Sequence, residues 1–266
     1  MSLIKPDYTA FDRPEILDVL FHPRADHSYP VQNERVMDLF FDVSGDARIG
    51  SKFHMAGKED PIILFFHGNG EIVSDYDDLG PLFTRMGIGF FPFDYRGYGR
   101  SNGYPTVSSM MEDCHVLFDK AMSFLKERGF TGKIIVMGRS LGSASALELA
   151  ASHHDAIDGL IIESGFAFMM PLLELLGLTR LIPGVSEDKG PMNGEKIKHF
   201  SKPTLVIHAQ YDHIIPFSDG MTLYKNAAGI DKTLLEIKGA DHNNIFLRGF
   251  EEYMNAIQTL ADKLRA

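Results

Sequence analysis

The stretch KIIVMGRSLGSASALELA, residues 133–150, decides the fold. It opens with an apolar, β-rich run and ends in small and apolar residues that continue as a helix. Gly138-Arg139-Ser140-Leu141-Gly142 stands between the two. A G-x-S-x-G sequence between a strand and a helix is typical of a nucleophile elbow, a sharp turn that lifts the serine hydroxyl above the sheet. Because the glycines keep Cβ atoms away from that turn, the pattern predicts Ser140 as a nucleophile.

Further β-rich runs lie on both sides of this stretch and alternate with helical patterns. They are residues 62–66, 89–93, 160–162, 204–207 and, with less regular alternation, 233–237. Apolar runs without polar alternation are typical of parallel strands that are buried on both faces. Alternation of strands and helices implies right-handed crossovers between parallel strands. We therefore predict an α/β fold with a mostly parallel central sheet and helices on both faces, formed by one domain over residues 1–266.

Helices and a hairpin are predicted around the sheet. Apolar residues recur at helical spacing from residue 107 to residue 125, after a good N-cap at Thr106 and before a good helix stop at Gly129. A second apolar stripe over residues 250–264 predicts a C-terminal helix. Residues 31–56 mix polar and apolar residues around a turn at Gly45 and Asp46, which favours an antiparallel hairpin that leads into the sheet.

Composition excludes several classes of function. The chain has 266 residues, 44% hydrophobic and 23% charged, with a formal net charge of −10, and it is therefore predicted to be globular. A pI near 5.5 argues against nucleic acid as a partner, because phosphate binding needs a basic surface. No apolar stretch approaches the roughly 20 residues that cross a bilayer, so no stable membrane insertion is expected. Charged residues near the N-terminus (Lys5, Asp7, Asp12 and Arg13) argue against a signal peptide. The single cysteine, Cys114, fits a reducing compartment, and a cytoplasmic protein is expected.

A serine nucleophile needs a base, and the base needs an acid that orients it. In a fold of this kind these partners follow the serine in the order acid, then histidine. Asp212 follows the strand pattern of residues 204–207, and His242 lies in a predicted loop before the last helix. We therefore predict Asp212 as the acid and His242 as the base. Glu163, just after another strand, is the alternative acid.

The developing oxyanion needs backbone N–H donors. One is expected from Leu141, the residue after the nucleophile, and the second from the glycine-rich loop His67-Gly68-Asn69-Gly70 after the strand at 62–66. Asn69 is the favoured donor there, with Gly68 as the alternative.

Residues 165–199 interrupt the alternation of strands and helices. Their apolar first half follows the C-terminal end of a strand, where long insertions are often lids, so a small cap is predicted over a pocket. The candidate substrate-binding residues are Phe166, Phe168, Met169 and Met170, which suit an apolar acyl group. The alternative is that these side chains pack against the core.

Five motifs occur together in order: HGNGE, FDYRGYGRSNGYPT, GRSLGSASA, HAQYDHIIP and GADHNN. In this combination the chain resembles the α/β-hydrolase superfamily, particularly its BEM46-like and serine aminopeptidase-like branch. The resemblance covers the chain from about residue 34 to the C-terminus. It implies the α/β-hydrolase fold, with Ser140 as nucleophile, Asp212 as acid and His242 as base.

The residues and the resemblance together predict a serine hydrolase that cleaves an ester or thioester of an apolar acyl group, with no metal or organic cofactor. A small-molecule ester, thioester or amide is the expected partner. Two alternatives stay open. An aminopeptidase-like or amide hydrolase with the same residues would need carboxylates for the substrate amine, and Glu71, Asp75 and Glu163 are candidates. A ligand-binding protein without catalysis would need neither the base nor the oxyanion loop.

Overall fold

A computed structural model describes residues 7–30, 32–178, 180, 183 and 185–265 of the chain. Its sheet has eight strands in the order β1-β2-β4-β3-β5-β6-β7-β8. The strands are β1 (Val36–Asp42), β2 (Arg48–His54), β3 (Ile62–Phe66), β4 (Gly89–Phe93), β5 (Ile134–Arg139), β6 (Gly159–Glu163), β7 (Thr204–Ala209) and β8 (Lys232–Ile237). β2 pairs antiparallel with both β1 and β4, and all other neighbours are parallel. The predicted α/β fold class and the mostly parallel sheet are confirmed.

The helices alternate with these strands along the chain. They are α1 (Pro14–Leu20), α2 (Leu79–Arg85), α3 (Val107–Glu127), α4 (Gly142–Ser152), α5 (Met169–Leu175), α6 (Asn193–Lys196), α7 (Phe217–Asn226), α8 (Ile245–Arg248) and α9 (Phe250–Arg265). Short 3₁₀ helices cover Tyr8–Phe11, Val73–Tyr76, Glu187–Lys189 and Ile197–His199. In the part of the chain that the structure describes, no helix is both long enough and apolar enough to cross a membrane.

The central strands are buried on both faces because two apolar layers cover them. On β3, Ile62 and Leu64 pack with α3 and α4, whereas Ile63 and Phe65 pack with α2 and α9. Successive side chains of a strand point to opposite faces, so a continuous apolar run serves both layers. β8 is an edge strand and only its last residue, Ile237, is buried, which explains its less regular sequence pattern.

The predicted helix boundaries and hairpin agree with the structure. The side chain of Thr106 caps α3 by accepting a hydrogen bond from the backbone N–H of Ser109 at 3.0 Å. Gly129, two residues beyond the end of α3, has a φ of +73°. β1 and β2 form the antiparallel hairpin, and its turn contains Gly45 and Asp46 with φ values of +68° and +58°. Cys114 is buried in the core, as its place on the helical stripe predicts.

The segment 165–199 forms α5, α6 and two of the 3₁₀ helices instead of a strand. Its apolar side chains divide, since Phe166, Met169 and Leu173 are buried and Leu175 is exposed. Residues 179, 181, 182 and 184 of the predicted cap lie outside the described residues, as do residues 1–6, which include Lys5.

Candidate active site

Ser140 stands on a strained turn between β5 and α4. Its φ is +50°, in the left-handed region that non-glycine residues rarely adopt. The neighbouring strand β6 stabilises the turn, because the Ser140 N–H donates to the carbonyl of Glu163 at 2.8 Å. A Cβ atom on Gly138 would lie 2.3 Å from the carbonyl oxygen of Gly142, and one on Gly142 would lie 2.1 Å from that of Phe66. The two glycines therefore allow the tight packing that the elbow needs.

The structure brings Ser140, His242 and Asp212 together. Nε2 of His242 lies 2.9 Å from Oγ of Ser140, and Nδ1 of His242 lies 2.7 Å from Oδ2 of Asp212. All three side chains lie at the carboxyl ends of strands, after β5, β7 and β8. The edge of an open α/β sheet where these ends meet is where such folds bind ligands.

Asp212 is placed to stay ionised. Burial alone would raise its pKa, but the hydrogen bond and the charge of His242 hold that pKa below its ordinary value, helped by the Ile215 N–H. Its second oxygen, Oδ1, accepts from the backbone N–H groups of Ile214 at 3.0 Å and Ile215 at 2.8 Å. A carboxylate at Nδ1 stabilises the tautomer in which Nε2 accepts the serine proton.

The alternative acid, Glu163, is engaged elsewhere. Its Oε1 accepts from Nη1 of Arg139 at 2.8 Å, and its Oε2 accepts from the hydroxyl of Tyr253 at 2.7 Å. The imidazole of His242 is paired with Asp212 instead. The geometry therefore favours Asp212 over Glu163.

His208, near the end of β7, contacts the loop that carries Asp212. Its ring Nε2 is hydrogen-bonded to the carbonyl of Ile215 at 2.8 Å and lies 3.6 Å from Oδ2 of Asp212. Burial lowers the pKa of His208, which favours the neutral ring. His208 thus holds the loop that carries the acid.

The two candidate donors of the oxyanion loop differ in their partners. The Gly68 N–H donates to Oε2 of Glu71 at 2.6 Å, which favours the N–H of Asn69 as the oxyanion donor. Asn69 and Leu141 both line the cavity beside Ser140. The side chain of Asn69 is anchored, because its Oδ1 accepts from the His22 N–H at 2.8 Å and from the Tyr98 hydroxyl at 2.6 Å. The backbone N–H groups of Asn69 and Leu141 remain the candidate donors.

A cavity of about 310 Å³ opens beside Ser140 and His242. From the predicted cap, Phe166, Met169, Leu172 and Leu176 line it. Met169, Leu172 and Leu176 are spaced by three and four residues, as on one helical face, whereas Phe166 precedes the helix. The predicted contacts of Phe168 and Met170 with substrate are not supported, since neither side chain lines the cavity and Phe168 is 42% exposed. The physical reason is that α5 begins at Met169, so the face is set by helical rather than linear neighbours.

Most of the remaining apolar wall was not predicted from the sequence. It is formed by residues of α1 (Val19 and Leu20), of α3 (Val107 and Met110) and of the loop that carries the acid (Ile214 and Ile215). The two isoleucines follow Asp212 closely and could have been found from that position. The residues of α1 and α3 carry no local signal, because only the packing of those helices brings them to the cavity.

A buried ion cluster lies next to the elbow. Nε of Arg139 donates to Oε1 of Glu71 at 2.7 Å, and Nη1 donates to Oε1 of Glu163 at 2.8 Å. Although burial opposes its charge, the pKa of Glu71 lies below its ordinary value because the Arg139 guanidinium and the Tyr76 hydroxyl stabilise the carboxylate. Both carboxylates therefore already have a cationic partner. Among the described residues, no group of three or more His, Cys, Asp or Glu side chains is arranged to hold a metal ion.

The α/β-hydrolase fold is defined by a mostly parallel sheet with a serine elbow. An acid and then a histidine follow along the chain, and the histidine contacts both the serine and the acid. The family model described as "Serine aminopeptidase, S33" matches residues 57–183. The alpha/beta hydrolase domain-containing protein 17C of Mus musculus is 30% identical over 247 residues, covering 88% of this chain and 71% of that protein. The chain belongs to the α/β-hydrolase superfamily, and it is a hydrolase.

Solved structures have the same fold. A monoacylglycerol lipase of Paleococcus ferrophilus superposes with a TM-score of 0.60 at 23% identity, covering 77% of this chain and 96% of that one. The esterase Pf2001 of Pyrococcus furiosus superposes with a TM-score of 0.70 at 16% identity, covering 87% of this chain and 93% of that one. At these identities the likeness concerns the fold.

Proposed function

We propose that this protein is a serine hydrolase that cleaves a carboxylic ester or thioester of an apolar acyl group through an acyl-enzyme on Ser140. The observation that carries the proposal is the hydrogen-bonded series from Ser140 through His242 to Asp212, with distances of 2.9 Å and 2.7 Å, beside an apolar cavity.

In the proposed mechanism each side chain of the series has one role. Oγ of Ser140 attacks the carbonyl carbon while Nε2 of His242 takes its proton, and Asp212 stabilises the imidazolium that forms. The N–H groups of Asn69 and Leu141 bind the oxyanion. His242 then donates its proton to the leaving alcohol or thiol, and a water molecule activated by His242 releases the acid from Ser140. These steps need neither a metal nor an organic cofactor.

The cavity wall supports an apolar acyl group. Side chains from α1, α3, α5 and the Ile214-Ile215 loop form most of its apolar lining, and Phe166 adds an aromatic surface. Burying a methylene group in such a wall contributes about 0.8 kcal/mol to binding. Two of the proteins that share this fold are a monoacylglycerol lipase and an esterase, which agrees with ester chemistry.

The aminopeptidase-like alternative is less well supported, although the matching family model carries that description. A free amine would need a carboxylate that lacks a cationic partner. Glu71 and Glu163 are both paired with Arg139, and Asp75 forms an ion pair with Arg24. A role in ligand binding alone would not require the 2.9 Å contact between Oγ of Ser140 and Nε2 of His242.

Labelling with a fluorophosphonate, followed by a panel of p-nitrophenyl esters, acyl thioesters and aminoacyl amides, tests the proposal. The wild-type protein is expected to be labelled and to hydrolyse the esters and thioesters faster than the amides. Ser140→Ala is expected to be folded, unlabelled and inactive. Equal labelling of the two proteins contradicts the assignment of the nucleophile, and preferred cleavage of aminoacyl amides supports the alternative.

A further inference from the structure

Arg139, directly before the nucleophile, connects two loops of the site with the end of β6. Besides its bonds to Glu71 and Glu163, its Nη2 donates to the backbone carbonyl of His242 at 3.1 Å. Each nitrogen of the guanidinium thus has a different partner, and the side chain is only 11% exposed. The five N–H donors of an arginine lie in one rigid plane, so these bonds fix the positions of their partners relative to each other.

Glu71 holds the oxyanion loop in the same way. One oxygen accepts from Arg139, and the other accepts from the Gly68 N–H at 2.6 Å and from the Tyr76 hydroxyl at 2.5 Å. The carboxylate lies so close that a Cβ atom on Gly68 would be 2.8 Å from its Oε2. The next peptide, which contains the N–H of Asn69, has its carbonyl oxygen 2.8 Å from Nδ1 of His67. The loop therefore has little freedom to turn.

Burying the charges of this cluster costs folding free energy, which argues that the cluster does more than stabilise the fold. One guanidinium faces the buried carboxylate of Glu163 and the carboxylate of Glu71, whose side chain is 25% exposed, and burial of charge costs free energy that ion pairing often only just offsets. The proton relay of Ser140, His242 and Asp212 makes no use of Glu71 or of the Arg139 side chain. What the cluster does contact is the Gly68 amide on one side and the His242 carbonyl on the other.

We propose that Glu71 and Arg139 act as a positioning pair, here called the clamp, that holds the oxyanion loop and the His242 loop at their working distances from Ser140. This inference rests on the proposed serine hydrolase function. Oxyanion donors stabilise a transition state only when they are fixed where the charge develops. A displacement of about 1 Å costs about a hundredfold in rate.

Glu71→Gln is the sharpest test. A glutamine side chain has one acceptor oxygen and one NH₂ donor. In Glu71→Gln the NH₂ group must therefore face another donor, either the Arg139 guanidinium or the Gly68 N–H. The pair of Arg139 and Glu163 stays electrically balanced in this variant, which spares the fold. Arg139 also lines a second cavity, of about 240 Å³, whereas Glu71 lines the cavity at Ser140 and not this second one. A change at Glu71 therefore leaves the lining of the second cavity unchanged.

Tyr76→Phe is the matched control. It removes the other hydrogen bond to the same Glu71 oxygen and leaves the contacts of Glu71 with Gly68 and Arg139. The measurements are the melting temperature, the second-order rate of fluorophosphonate labelling, and kcat and KM for p-nitrophenyl butyrate. Glu71→Gln is expected to lower kcat and the labelling rate about 10- to 100-fold with KM within about threefold of wild type. Tyr76→Phe is expected to stay within about threefold of wild type in the labelling rate, kcat and KM.

Arg139→Lys is the second variant should Glu71→Gln not fold. It keeps the charge but replaces the planar fork by one ammonium, and the same fall in kcat at constant KM is expected. A folded variant with wild-type kcat, a rise in KM alone, or equal losses in Tyr76→Phe overturns the clamp. A wild-type protein that is not labelled overturns the proposed function, and the clamp with it, so the two failures are distinguishable.

Discussion

Nε2 of His242 lies 2.9 Å from Oγ of Ser140, although the two residues are 102 positions apart in the chain. The contact exists because β5 and β8 are parallel members of one sheet, so the loops that follow them meet at the same edge. On the far side of the imidazole, Asp212 holds Nδ1 at 2.7 Å from the loop after β7. Three strand ends thus bring together a hydrogen-bonded series of side chains that no short segment contains.

Asp212→Asn is expected to reduce kcat for an ester substrate by about 10⁴-fold, because the amide favours the wrong imidazole tautomer. Glu163→Gln is expected to cost much less, since Glu163 bonds to Arg139 and Tyr253. Steady-state kinetics of both variants with one p-nitrophenyl ester make the comparison. A larger loss in Glu163→Gln would reassign the acid to Glu163.

Met169→Ala is expected to shift the preference for acyl chain length, because Met169 lines the cavity. Affinity should rise with chain length at about 0.8 kcal/mol per methylene until the cavity is full, and the variant should lose more on long esters than on acetate. Phe168→Ala is the neighbouring control, since Phe168 is 42% exposed and lies outside the lining. Specificity constants for p-nitrophenyl esters with acyl chains of about two to twelve carbons measure the effect.

The alternative for this segment is that its side chains pack against the core. We expect this of Leu173, which is fully buried on α5. Leu173→Ala should lower the free energy of unfolding by roughly 2–5 kcal/mol without changing the chain-length preference. Urea unfolding of the Met169, Phe168 and Leu173 variants separates the two effects. A Met169→Ala protein with a large stability loss and an unchanged preference would return Met169 to the core.

Stability at low pH is expected to depend on Glu148 of α4. Burial opposes its ionisation, but the hydrogen bond from His115 and the contact with the Lys196 ammonium lower the pKa of Glu148 to about 2, from an ordinary value of 4.5. Because the folded pKa is the lower one, this contribution is present above pH 4.5 and is lost as the pH falls through about 2.

Glu148→Gln should therefore be less stable than wild type at pH 7, by on the order of 3 kcal/mol. The difference should shrink as the pH falls from 4.5 towards 2, because the wild-type carboxyl becomes neutral as well. Urea unfolding of both proteins at several pH values measures it. A constant difference between pH 7 and pH 2 would show that the charge of Glu148 makes no contribution.

Gly142→Ala is expected to damage the elbow. The added Cβ would lie 2.1 Å from the carbonyl oxygen of Phe66 and 2.8 Å from that of His67, and backbone atoms cannot move aside cheaply. A loss of stability of about 1–3 kcal/mol is expected, together with slower fluorophosphonate labelling of Ser140. Thermal unfolding and the labelling rate check both, and a variant that matched wild type in both would contradict the close packing of β3 against α4.

The sequence by itself determined the sheet, the elbow and the order of the site residues. Periodicity and turn chemistry are local properties, so the runs at 62–66 and 134–137, the cap at Thr106 and the glycines around Ser140 could be interpreted from their neighbours alone. The positions of Asp212 and His242 after strand patterns were enough to predict where they would meet.

Only the tertiary structure decided which groups surround them. Glu71 and Arg139 are 68 positions apart, and nothing near either residue predicts their ion pair or its bond to the Gly68 amide. The face of α5 that lines the cavity depends on where that helix begins, and the contributions of α1 and α3 depend on how whole helices pack. Such contacts arise from side chains that are distant in the chain, so their geometry is set by long-range packing rather than by local pattern.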